Sequence, residues 1–211
     1  MTRARLLHID ASPRAERSRS RSVADTFLAA LAERGDAPEV ERLDVWAAQL
    51  PDLGGGKIEG RYDLIAGEKV PPELAAAWAD IQRHVDRFLS FDAFLISTPM
   101  WNFGLPYALK HFIDVVTQPG MAFTNDREGN VTGRAAGKKA MVIAASAMPI
   151  VPGSELAEFD FQLRYLESWL GFIGVTDIHT LRVAPTYGPD ETVAKAMEAA
   201  NKRARRMAAI F

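Results

Sequence analysis

Along most of this chain, apolar runs of strand length alternate with segments whose apolar residues recur at helical spacing. Arg5 to Ile9 predicts a buried strand, and Val23, Phe27, Leu28 and Leu31 then mark one helical face. Ser22-Val-Ala-Asp25 has the form of a capping box for that helix, and Gly35 offers a stop. Glu39 to Val45 alternates as a second strand. Residues 46–72, rich in glycine, proline and charge, predict a long surface excursion. Leu74, Trp78, Ile81, Val85 and Phe88 form a helical stripe, and Ala93 to Ser97 a third strand. Leu109, Phe112, Ile113 and Val116 line the next helix, and Lys139 to Ala145 is a fourth strand. Phe159, Leu163, Leu166 and Leu170 mark another helix, Asp177 to Val183 a fifth strand, and Val193, Met197, Ala200 and Ala204 a last helix.

Five strands alternating with helices imply an α/β fold: a doubly wound, mostly parallel sheet with helices on both faces. Neither GxGxxG nor GxxxxGK[ST] occurs, so the dinucleotide fingerprint and the Walker loop are both missing. The other common doubly wound order is 2-1-3-4-5, whose ligand crevice lies outside the carboxyl ends of the strands at the switch point. That order brings together the loops after strands 1, 3 and 4, at residues 10–20, 98–106 and 146–156.

Composition narrows the chemistry. With 211 residues, about half of them hydrophobic, one domain over residues 1–211 is expected. The net charge of -2 argues against a dedicated nucleic-acid binder, although the tract Arg17-Ser-Arg-Ser-Arg-Ser22 resembles a basic arm when read alone. Between residues 12 and 22, Arg14, Arg17, Arg19 and Arg21 face a single Glu16, a small excess that suits one phosphate better than a polyanion. There is no cysteine, which removes thiolate catalysis, disulfides and sulfur-based zinc sites. No apolar run approaches the roughly 20 residues of a membrane span, and the basic N-terminus carries too short an apolar stretch for a signal peptide. A soluble cytoplasmic protein without nucleic-acid or membrane partners is the expectation.

The first loop reads as an anion cradle. A helix N-terminus offers unpaired N–H groups and a positive dipole end, and Ser12, Ser18 and Ser20 add hydroxyls. The same serines would also serve simply as helix caps. The second loop, Pro99-Met-Trp-Asn-Phe-Gly-Leu-Pro106, sets Trp101 and Phe103 directly after a buried strand, with Asn102 as a directed amide. Such a stiff aromatic loop suits a planar ligand, or else plugs the core. His8, His84, His111 and His179 show no HxxxH or HxH spacing and read as structural, so no metal site is expected. No G-x-S-x-G elbow is present. Lys202-Arg-Ala-Arg-Arg206 is a basic helix end that complements its dipole.

Residues 99–114, PMWNFGLPYALKHFID, closely resemble the flavin-contacting loop of FMN-dependent NADH-azoreductases and NAD(P)H:quinone oxidoreductases. The stretch at 12–20, Gln118-Pro-Gly-Met-Ala-Phe123 and residues 165–178 are similar to other parts of the same family, so the resemblance runs from about residue 5 to about residue 188. It implies a flavodoxin-like fold and non-covalently bound FMN. It also implies NADH or NADPH as hydride donor, quinone or azo acceptors, and a homodimer with active sites at its interface. Ser12, Ser18, Arg19 and Ser20 match the family's phosphate loop. Pro99, Met100, Trp101, Asn102 and Phe103 match its ring-contacting stretch, and Phe123 is expected at the far wall of the substrate pocket, in one version across the dimer. The third loop departs from the family: Ala145-Ser-Ala-Met-Pro149 replaces a glycine pair that lies along the flavin edge. Ser146 and Met148 are expected beside the cofactor, with Met148 either over the ring or in the path of substrate. No side chain is expected to act as catalytic acid or nucleophile. The rival reading is an FMN-binding flavoprotein with little or no turnover.

Overall fold

The computed structural model describes residues 3–65 and 68–211. Its main sheet has five parallel strands: β1 (Arg5–Asp10), β2 (Glu39–Asp44), β3 (Ala93–Pro99), β6 (Lys139–Ala145) and β7 (Asp177–Val183). Their order is β2-β1-β3-β6-β7, which is the expected 2-1-3-4-5. A two-stranded antiparallel hairpin, β4 (Phe123–Asn125) with β5 (Val131–Gly133), stands between β3 and β6 in the chain. The helices are α1 (Arg19–Ala32), α2 (Lys57–Ile65), α3 (Ala75–Leu89), α4 (Tyr107–Val116), α5 (Phe161–Phe172) and α6 (Asp190–Ile210).

Strand alternation explains the two layers. Leu7, Ile9, Phe94, Ile96 and Val142 face α3, α4 and α5, where Phe88 stacks on Phe94 at 4.4 Å and meets Trp169 at 5.9 Å. The intervening residues Leu6, Leu95, Met141, Ile143 and Leu181 face α1 and α6, packing on Val23, Phe27 and Ala204. Each such fully buried aliphatic or Phe side chain contributes about 1.5–3 kcal/mol. Because both faces are covered, the central strands are continuous apolar runs, whereas the edge strand β2 stays half-exposed.

Several elements differ from expectation. Helix α1 begins three residues before Ser22. Its cap is Ser18, whose hydroxyl accepts from the Arg21 N–H at 3.1 Å, and Ser22 already lies inside the helix. The helix ends at Ala32 with Glu33 still right-handed, so Gly35 is not its cap. The excursion at 46–72 contains α2, and its apolar residues Leu53 and Leu64 pack against the cluster around Trp78 and Ile81. The β4–β5 hairpin was too short for a periodicity signal. Gly133 seats it directly on the backbone of Ile173, where a Cβ would stand 2.0 Å from the Ile173 carbonyl carbon. Phe159 lies in a short 3-10 turn, Ala157–Phe159, ahead of α5.

Candidate flavin site

At the carboxyl ends of the strands, the predicted three loops meet in a cleft of about 190 Å³, joined by Thr186 from the loop after β7. Its lining includes Ser12, Arg14, Ser18, Arg19 and Ser20 at one end and Pro99, Met100 and Trp101 at the other, with Ala145 and Ala147 beside them. A roomier groove between α1 and α6, about 690 Å³, shares no residue with these loops and lacks aromatic side chains.

The first end is polar and buried. Ser12, Ser18 and Ser20 are each no more than 3 % exposed, and the Ser18 and Ser20 hydroxyls lie 3.3 Å apart. Ser18 caps α1 through Arg21, while the N–H groups of Arg19 and Ser20 have no acceptor within the helix. The lining contains two arginines and no carboxylate. Hydroxyls, free helix N–H groups and guanidinium make a donor set that fits a phosphate monoester.

Behind this cradle lies a buried polar chain. Asp10 accepts the Ser12 N–H at 3.2 Å and pairs with the Arg21 guanidinium, which also lies 3.8 Å from Asp44. The Ser97 hydroxyl reaches Asp10 at 3.5 Å and meets His8 Nε2 at 2.9 Å. Arg42 Nε donates to His8 Nδ1 at 3.2 Å, which leaves the ring proton on Nε2 for Ser97. Burial, reinforced by Arg42 and Arg21, holds the His8 pKa down at about 3, so the ring is neutral at pH 7. Burial pushes the Asp10 carboxyl up, against the opposing pull of the Ser12 N–H and Arg21.

The other end is a strained turn. Trp101 and Gly104 exchange backbone hydrogen bonds at 3.0 and 2.8 Å across Asn102 and Phe103. Both central residues are left-handed, with φ of 46° and 68°. This is the two-residue geometry that favours Asn-Gly; Asn tolerates it, but Phe does not. A bulky residue held there stores on the order of 1–3 kcal/mol, a pattern that clusters at ligand sites. The turn presents Trp101 and Phe103 at the surface, 39 % and 36 % exposed. Phe103 lies 5.2 Å from Phe159, and Trp101 borders a second, open groove with Tyr107 and Asn102.

The third loop is pinned differently from expectation. Ser146 turns inward, donating to the Met148 carbonyl at 2.8 Å, and its own carbonyl accepts from the Thr186 N–H and hydroxyl at 2.9 and 3.1 Å. Ala145 and Ala147 line the cleft, while Met148 is 42 % exposed and stands outside the lining. Phe123 is also elsewhere within one chain: it is buried with Trp78, Ile81 and Val85, its ring 4.7 Å from Phe172. Thr186 and the neighbouring Trp46 escaped the sequence reading, and Arg14 and Ala147, named there only as part of their loops, also line the cleft. Strand order held the signal for two of them, since the loops after β2 and β7 adjoin those after β1 and β6.

The fold and this cleft define a class of protein, and comparison supports it. A model of the flavodoxin-like fold family matches residues 4–207. An FMN-dependent NADH:quinone oxidoreductase of Nitratidesulfovibrio vulgaris is 43% identical over 210 residues, covering 99% of this chain and 100% of the relative. A relative of the same name from Desulfotalea psychrophila is 39% identical over 182 residues, 86% of this chain and 85% of its own. The crystal structure of an azoreductase from Bacillus anthracis str. Sterne superposes with a TM-score of 0.86 at 26% identity, covering 99% of this chain and 100% of that one. The chain belongs to the flavodoxin-like family and, within it, to the family of these FMN-dependent oxidoreductases.

Proposed function

We propose that this chain binds FMN in the cleft and catalyses two-electron reduction of quinones or azo compounds by NADH or NADPH. The observation that carries the reading is the cleft's polarity: three buried serines, helix N–H groups and two arginines at one end, and Trp101 at the start of a strained turn at the other. Ser12, Ser18, Arg19 and Ser20, joined by Arg14, hold the phosphate. Trp101 and the backbone of Asn102 and Phe103 would hold the ring, their N–H groups serving as donors to negative charge on it. Held there, FMN would supply the two-electron hydride chemistry that links the nicotinamide to the acceptor in a ping-pong cycle. The protein's part is to position the reactants; among the described residues lining the cleft, the ionisable side chains are Arg14 and Arg19, and no side-chain acid or nucleophile is assigned.

The altered third loop does not favour a flavin binder without turnover, because Met148 leans to solvent and small Ala147 borders the cleft. A homodimer is part of the reading. The exposed pairs Trp101 with Tyr107 and Phe103 with Phe159 offer aromatic surface at this end of the sheet for a second copy to cover. A partner would supply the far wall of the substrate pocket from its copy of the exposed Phe172, with Phe123 buried behind that ring. Among the described residues no helix is long and apolar enough to cross a membrane, in keeping with a cytoplasmic enzyme. The test is anaerobic addition of NADH to the FMN-reconstituted protein, watching the visible flavin band. Bleaching that reverses on adding a quinone supports the reading; bound flavin that stays oxidised overturns the enzyme, and failure to retain FMN overturns the site.

A further inference from the structure

The two ends of the cleft are joined by a residue outside the three loops. Trp46 lies two residues past the end of β2, and its N–H is fixed by Asp44 Oδ1 at 2.9 Å. Its indole Nε1 donates to the Ala11 carbonyl at 3.0 Å. That carbonyl and the Ser12 N–H belong to one peptide unit, and the Ser12 N–H is held from the other side by Asp10 at 3.2 Å. A planar peptide gripped at both its C=O and its N–H cannot rotate, so the direction in which Ser12 leaves it is fixed. The Ala11 N–H is also tied, to the Ser97 carbonyl at 2.9 Å. The other side of the same indole packs on the ring end. Its centroid lies 5.5 Å from Trp101 and 5.0 Å from Tyr107, and Trp101 and Tyr107 are 6.1 Å apart. Trp101 itself lies on the strained turn, where a side chain without lateral support has freedom to swing.

We propose that Trp46 is a positioning residue for the flavin: its N–H sets the Ala11–Ser12 peptide at the phosphate end, and its ring holds Trp101 at the isoalloxazine end. The inference rests on the FMN reading above and adds a division of labour within one side chain. Phosphate and ring are thereby gripped by one rigid unit, which lowers the ordering cost of binding.

Two substitutions separate the halves. Trp46→Phe keeps an aromatic surface against Trp101 and removes the N–H; Trp46→Leu removes both. Affinities for FMN and for riboflavin, which lacks the phosphate, are measured by flavin fluorescence on apo-protein, with circular dichroism and thermal melting as checks of folding. Loss of one hydrogen bond predicts an FMN affinity about five- to tenfold weaker in Trp46→Phe, with riboflavin affinity unchanged, so the preference for FMN over riboflavin falls by the same factor. Trp46→Leu weakens riboflavin as well. An unchanged preference in Trp46→Phe overturns the phosphate half, because a merely structural role moves both flavins alike or neither. Unchanged riboflavin affinity in a folded Trp46→Leu overturns the ring half. Wild-type protein that binds neither flavin overturns the FMN reading itself, a result distinct from both.

Discussion

The phosphate end and the ring end of the cleft are built on opposite terms. At the proposed phosphate end the serines are tied into the fold: Ser18 caps α1, and Ser12 hangs from a clamped peptide next to the Asp10–Arg21 pair. At the ring end the functional groups sit on a turn that the fold tolerates at a cost, with φ of 68° at Phe103 and aromatic rings left at the surface. Anchoring a charged, localised group calls for fixed donors, and fixing donors stabilises the protein. Receiving a flat ring and exchanging substrates above it calls for open apolar faces, which stabilise nothing until they are covered. Damage to the first end should therefore reach both stability and binding, and damage to the second chiefly function.

The severest test of this contrast is Asp10→Ala, which leaves the Arg21 guanidinium, with a side chain only 12 % exposed, without its main partner. Loss of about 3–5 kcal/mol of stability in urea denaturation is expected. A loss near zero would mean that the phosphate end is not a structural keystone. Next in size is a pH effect. The His8 pKa falls from 6.5 in the unfolded chain to about 3 in the fold. The unfolded state therefore takes up the proton first, and stability present above pH 6.5 is lost as pH falls toward 3. The loss approaches about 1.4 kcal/mol per pH unit, roughly 2 kcal/mol between pH 6.5 and 5. His8→Gln should flatten that slope in chemical denaturation at the two pH values.

Ser18→Ala should cost about 1 kcal/mol through the lost cap and weaken FMN while sparing riboflavin. A stability loss without a change in that preference would separate cap from cradle. The smallest effect has the opposite sign. Phe103→Gly relieves the left-handed strain and should raise stability by up to about 1 kcal/mol, seen as a higher melting temperature. Catalytic turnover with NADH and a quinone should fall in the same variant. A destabilised Phe103→Gly would show that contact with Phe159 outweighs the strain, and the contrast between the ends would then weaken.

Much of this was legible because the relevant signals are local. The parallel strands announce themselves as apolar runs between helical stripes, and Ser12, Ser18 and Ser20 stand in the right slot after β1. Where the reading slipped, a local pattern competed with a better one. Ser22-Val-Ala-Asp25 has the form of a capping box, yet Ser18 caps the helix, and Ser20 and Val23 are buried within it. In the third loop Ala147 borders the cleft, and Met148, expected beside the cofactor, stands next to it 42 % exposed. The α2 helix and the β4–β5 hairpin lie in segments too short or too polar for periodicity to reveal.

The sequence by itself determined the alternation of strand and helix, the doubly wound class and the motif at 99–114, since each depends on residues near one another in the chain. Only the tertiary structure decided that Trp46 reaches Ala11 and Trp101, that His8 is neutral under the cradle, and that Phe123 lies away from the cleft of its own chain. These outcomes depend on which strands become neighbours and on what is shut away from water. Hydrogen bonding and desolvation act across space, between residues that no pattern along the chain relates.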